Sequence, residues 1–163
     1  MFSATTMKER TIRAGIASPD QIRGCSENEI ESIENSFRVK LPSAYKEFLS
    51  AFGHSAGRFW YEADFAADKL PEINRKARAI LEESDAGLEL PPRGFVFALR
   101  YEEQFLFFLA DGKSDNPPTF RYLFGNTQFV KTHDVFWDAI EGVLEVYEQV
   151  FQSLPAGIFP WIK

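Results

Sequence analysis

Two histidines and a single cysteine, His54, His133 and Cys25, are the softest ligands this chain offers. Zinc chemistry wants clustered cysteines or histidines at short spacing. His54 and His133 stand far apart, with no H-x-x-x-H pair, so no metal site is expected. No cofactor is expected either, because the sequence has no Walker loop, no G-x-G-x-x-G turn and no G-x-S-x-G elbow. His54 beside Ser55 reads as a polar turn after a helix rather than half of a catalytic pair. Cys25, lacking a recognisable partner set, reads as an inert thiol. Glu82 with Glu83, and Glu102 with Glu103, would do acid and base work only if burial drove their pKa values apart, and adjacent acids at turns are solvated. Arg75, Lys76 and Arg78 form a small basic patch, for which Glu72, Glu82 and Glu83 supply helical partners. No catalytic residue emerges, and the chain is not read as an enzyme.

What remains is a concentration of charge. In the stretch HDVFWDAIEGVLEVYE, a helical step of about 100° per residue puts Asp134, Asp138, Glu141, Glu145 and Glu148 on one narrow stripe. No lysine or arginine lies among them, although like charges three and four apart each cost a helix a few tenths of a kcal/mol. Two readings stay open: cations from another segment meet these acids, or the stripe is a vacant surface for a basic protein. The sign of the polar face excludes an amphipathic membrane helix.

The totals agree with a basic protein partner. A net charge of −6 and 45% hydrophobic residues in 163 describe one domain that folds on a core of its own. That charge argues against nucleic acid and against anionic membranes. A monomer or weak homodimer is expected. The N-terminus lacks the apolar stretch and cleavage site of a secretory signal, and one cysteine makes no internal disulfide, so a cytoplasmic location is expected. No apolar run approaches the roughly 18 to 20 residues of a membrane span.

The elements that must position these residues follow from pattern. Residues 1–25 form a basic N-terminal extension, in which Lys8, Arg10, Arg13 and Arg23 outnumber Glu9 and Asp20. Its only assigned element is a short helix opened by Ser18, Pro19 and Gln21. Ser26 and Glu29 make an S-x-x-E capping box, and Ile30, Ile33 and Phe37 give the helix behind it one buried face. Leu41-Pro42 closes that helix and opens another with Tyr45, Phe48, Leu49 and Phe52 inward and Gly53 as its stop. Residues 58–61 read as a short aromatic strand. A further helix carries Ile73, Ala77, Ile80 and Leu81 inward, and residues 84–94 have the Gly and Pro density of a loop.

From Gly94 the apolar period becomes two. QFLFFLAD is apolar on both faces and reads as the central strand. Glu102-Glu103, and Gly125-Asn126 between strands read over 119–124 and 127–131, mark turns too short for a parallel crossover, so the strands are antiparallel. A last helix over 134–154 is apolar around most of its circumference, and Gly142 within it suggests a close backbone contact. The class is α+β: one domain, with an antiparallel sheet of four to six strands packed by N-terminal helices and a long C-terminal helix. The domain proper spans 26–154, and 155–163 is a C-terminal tail.

The segment EIESIENSFRVKLPSAYKEFLSAFG resembles the N-terminal signature of the SUKH superfamily, which includes the fungal cell-wall-assembly regulator and many bacterial immunity proteins of polymorphic toxin systems. The matching positions are Ile30, Ile33, Glu34, Phe37, Leu41, Pro42, Tyr45, Phe48, Leu49 and Gly53. The later RFW, the strands ending at Asp111 and the closing THDVFWDAI keep the same order. Phe52 departs from the asparagine common before the glycine, and the helix through Ile73 lengthens the middle. The resemblance implies a non-catalytic binding platform. In bacteria it implies an immunity protein that binds a cognate toxin, often a basic nuclease or deaminase, and blocks it by occlusion. The alternative is a regulatory scaffold of the cell-wall-regulator type. An acidic inhibitor would gain association rate by steering, with Asp134, Asp138, Glu141, Glu145 and Glu148 as the candidate contact residues.

Overall fold

Seventeen phenylalanines need a large interior, and a five-stranded antiparallel sheet supplies it. The computed structural model describes residues 1–155; the expected tail from 156 onward lies outside the described residues. The sheet runs in the order β3 (Ala63–Asp64), β4 (Gly94–Arg100), β5 (Gln104–Leu109), β6 (Thr119–Leu123), β7 (Val130–His133). β5 is central, as its two apolar faces require. A separate small ribbon pairs β1 (Ile22–Arg23) with β2 (Ser55–Ala56). The helices are α1 (Ala4–Arg13), α2 (Glu27–Phe37), α3 (Ser43–Phe52), α4 (Leu70–Glu83) and α5 (Phe136–Ser153).

The capping box forms as the spacing dictates: the Glu29 N–H donates to Ser26 Oγ (3.2 Å), and the Ser26 N–H donates to Glu29 Oε2 (2.7 Å). α3 turns its motif residues inward. Tyr45 and Phe48 meet Phe136 of α5 at ring-centroid distances of 5.5 and 5.8 Å, and Tyr45 also packs on Phe95, Phe97 and Phe108 of the sheet. The Leu-Pro-x-x-Tyr-x-x-Phe-Leu signature is therefore the buried side of one helix, with all five side chains in the interior.

β3 is too short to pair all of β4, reaching only Leu99 and Arg100. Further back, the buried amide of Asn74 on α4 takes the place of a strand partner. Its Nδ2 donates to Val96 O (2.9 Å) and to Leu70 O (2.9 Å), while the Val96 N–H donates to its Oδ1 (3.0 Å). Buried backbone groups must be satisfied by something, and here a single side chain serves both. β4 carries a register shift between Val96 and Ala98, so the alternation read from the sequence is broken at its middle.

Three sequence expectations need correction. Residues 1–25 contain α1, which packs against α3 and α5, with Phe2, Met7 and Ile16 in the core. Threonine-rich TTMKERT carries little helical periodicity, so packing rather than propensity decides this helix. Residues 58–61 form turns instead of a strand: Trp60 has φ +51°, and the Ala63 N–H donates to Trp60 O. Their aromatic rings are anchors, with Phe59 and Trp60 buried. β7 begins at Val130, leaving 127–129 in the connection after Gly125-Asn126. Gly53 ends α3 as expected, with an ordinary φ of −60°.

Candidate partner-binding surface

α5 begins at Phe136, with Val135 in the cap position, so Asp134 lies just before the helix rather than on its stripe. Lys131 Nζ of β7 meets Asp134 Oδ1 at 2.5 Å, and its hydrogen bond holds the carboxyl below the usual aspartate range. Asp134 is therefore already paired. Asp138, Glu141, Glu145 and Glu148 do share one side of α5, because residues three and four apart are neighbours on a helix.

α1 brings a counter-charge to this side. Arg10 grips Glu148 with two parallel bonds, Nε to Oε1 at 2.9 Å and Nη2 to Oε2 at 2.6 Å, and reaches Glu141 Oε1 through Nη1 at 2.7 Å. The Arg10 and Glu148 side chains are only 18% and 17% exposed. This fork geometry is the strong form of a charge-assisted bond. It lowers the Glu148 pKa, with a smaller contribution from the charge of Arg13. The guanidinium also lies 5.5 Å from the Phe2 ring centroid, which fixes the start of the chain on the same surface.

Of the two readings left open, each describes part of the stripe. Cations from other segments hold Asp134, Glu141 and Glu148. Asp138 and Glu145 are exposed and form no ion pair among the described residues. Further round the exposed side of the same helix, Val146 and Val150 are open to solvent, and Tyr61 stands edge-on to Tyr147, its own ring open to solvent. The outer face of α5 thus combines free carboxylates with apolar side chains. Sequence reasoning missed that apolar component, since Val146 and Val150 look like core residues in a helix so rich in them.

Gly142 lies within this face. Among the described residues, a Cβ added there would meet only His133 Nε2, at 3.5 Å, so no close backbone contact of the kind suggested by its presence is found among them.

The other sequence candidates are engaged in structure. Ser55 Oγ donates to Gln21 O (2.6 Å), which removes it from any pairing with His54. Lys76 bridges Glu72 and Glu102, and Arg78 donates to Asn74 O. A concavity of about 510 Å³ is an open groove lined by Glu34, Arg38, Lys40, Arg93 and Asp111 among others. Glu34 in it is committed to Lys46 Nζ (2.9 Å) and the Leu41 N–H (2.7 Å). Arg93 donates to Arg38 O, and Asp111 accepts from the Lys113 N–H.

One cluster escaped the sequence reading. Cys25, Glu29 and His54 come together, with their ligand atoms all within 4.8 Å of one another. Burial, with the nearby charges of Glu29 and Asp68, pushes the Cys25 thiol up to about 11. Glu29 titrates below its usual range through the hydrogen bonds from the Ser26 backbone and from His54.

Fold and surface together define a single α+β domain whose last helix carries a charged and apolar outer face. Residues 24–148 match the SMI1 / KNR4 family (SUKH-1), and the chain belongs to that family. The family includes immunity proteins and cell-wall regulators and is generally non-catalytic. Among curated proteins no match is found. The match begins after α1, so the helix that carries Arg10 lies outside the matched segment while packing on its last helix.

Proposed function

We propose that this chain is a non-catalytic immunity protein of the cytoplasm, which binds a cognate polymorphic toxin of the basic nuclease or deaminase type and blocks it by occlusion. The observation that supports this most is the outer face of α5, where Asp138 and Glu145 stay exposed, with Val146 and Val150 further round the same helix. Carboxylates of this kind steer a basic protein toward the surface, and apolar side chains of the same helix hold it once water is expelled. Arg10 narrows the contact set. Glu141 and Glu148 serve the fold first, and Asp138 with Glu145 are the residues that meet the partner. A toxin that acts on nucleic acid needs a basic surface for phosphate, and an acidic helix placed there competes for it.

The test is a titration of the basic toxin encoded beside this gene with the purified chain. Toxin activity should fall linearly and vanish at one equivalent, with toxin and chain recovered together and unaltered. Inhibition by a small fraction of an equivalent would mean turnover and overturn the stoichiometric reading. Absence of inhibition, with capture of several host proteins instead, would favour the regulatory scaffold.

A further inference from the structure

We propose that Cys25, Glu29 and His54 form a three-ligand site for a zinc-class divalent transition metal ion. Two helix ends deliver the donors. Cys25 immediately precedes the Ser26 cap of α2, Glu29 lies in the first turn of that helix, and His54 follows the last residues of α3. The Cys25 N–H donates to Leu49 O at 2.8 Å, which fixes the cysteine against the end of α3. Gly53 keeps room for the sulfur: a Cβ at that position would come within 2.4 Å of Cys25 Sγ. The same Cβ would also come within 2.6 Å of Leu49 O, so the sulfur and the end of α3 together require a glycine here.

The donor geometry suits a small ion. His54 Nε2 is 2.9 Å from Glu29 Oε1 and 3.0 Å from Oε2. Around tetrahedral zinc, with bonds of about 2.0 to 2.3 Å, donors stand roughly 3.2 to 3.7 Å apart. The nitrogen and oxygen are thus nearly at that spacing, and the sulfur, within 4.8 Å of both, needs a closure of about 1 Å. The Cys25 thiol is buried and makes no hydrogen bond among the described residues, whereas His54 and Glu29 are exposed and free to close over an entering ion. Glu29 Oε2 also accepts the Ser26 N–H, an outer bond of the kind that orients a metal-binding carboxylate.

Sulfur, imidazole and one carboxylate together favour zinc, cobalt or nickel over magnesium and calcium, which take oxygen donors. Thiolate and carboxylate balance the charge of a divalent ion. On binding, the thiol proton leaves to solvent, and the imidazole binds the ion through Nε2 with its ring proton on Nδ1, the proton held between His54 and Glu29 passing to solvent in exchange for one taken up at Nδ1. Water completes the fourth position, as at other three-ligand sites. The ion would tie the start of α2 to the end of α3.

The experiment is a titration of the full chain with Co²⁺ alone, followed by displacement with Zn²⁺. Binding should saturate at one equivalent, with a thiolate-to-cobalt charge-transfer absorption that Zn²⁺ abolishes. Cys25→Ser should remove that absorption. His54→Ala, at an exposed position that leaves the fold intact, should weaken affinity by about a hundredfold or more, beyond the usual 10–100-fold range for an outer-shell partner. Glu29→Gln keeps an acceptor for the helix cap and should also weaken affinity. Failure to saturate, or an affinity unchanged in both His54→Ala and Glu29→Gln, would overturn the site.

Discussion

Arg10→Met tests the contact between the first helix and the last. Methionine keeps most of the packing against Phe2 and removes the guanidinium that serves Glu148 and Glu141 together. A hydrogen bond to a charged group contributes about 1.5–3 kcal/mol net, and breaking a fully buried ion pair costs about 3–5 kcal/mol. With both side chains less than one-fifth exposed, Glu148 regains part of its hydration when Arg10 goes. The expected loss is therefore about 2 kcal/mol, the middle of the charged-bond range. For a chain of this size that corresponds to a fall in Tm of roughly 4–8 °C. Urea unfolding at pH 7 measures the loss, and a cycle with Glu148→Gln isolates the pair.

The pH dependence supplies a second readout with a fixed sign. Arg10 holds the Glu148 carboxyl below its ordinary value of 4.5. Its contribution is complete above the unfolded pKa and is lost as pH falls through the folded one. The wild-type chain should lose this increment on acidification below about pH 5, and Arg10→Met should lack that part of the acid limb. A variant within 0.5 kcal/mol of wild type, with an unchanged acid limb, would refute the reasoning.

Asn74→Ala should cost about 3 kcal/mol, because it strips the buried Val96 N–H and C=O of their partner at once; hydrogen exchange at the Val96 amide should accelerate beyond the change at β5. Gly142→Ala should stabilise α5 by roughly 0.5–1 kcal/mol, since the new methyl group makes only an ordinary contact with His133. A destabilising result in urea would show that the glycine has a packing role after all.

The parts legible in the sequence are those set by neighbours in the chain. The α2 capping box, the inward face of α3, the Leu41-Pro42 break and the centrality of β5 each depend on a few consecutive residues, and each appears in the structure. What escaped depends on residues far apart. Nothing near position 10 signals that Arg10 meets carboxylates at 141 and 148, and nothing near Cys25 points to His54. The aromatic run at 58–61 misled because strand and buried turn share the same composition, and only the left-handed Trp60 backbone separates them. The acidic stripe was readable as a pattern. Its division into acids that hold the fold and acids that face solvent required α1 and β7 to be in place.

The association rate of the chain with its toxin, measured against ionic strength, tests the central claim most directly. Asp138→Lys with Glu145→Lys should leave Tm unchanged and slow association at least about tenfold at low salt, with the difference fading as salt is raised. Equal rates for the variant and wild type at low salt would contradict the claim that this face of α5 receives the partner.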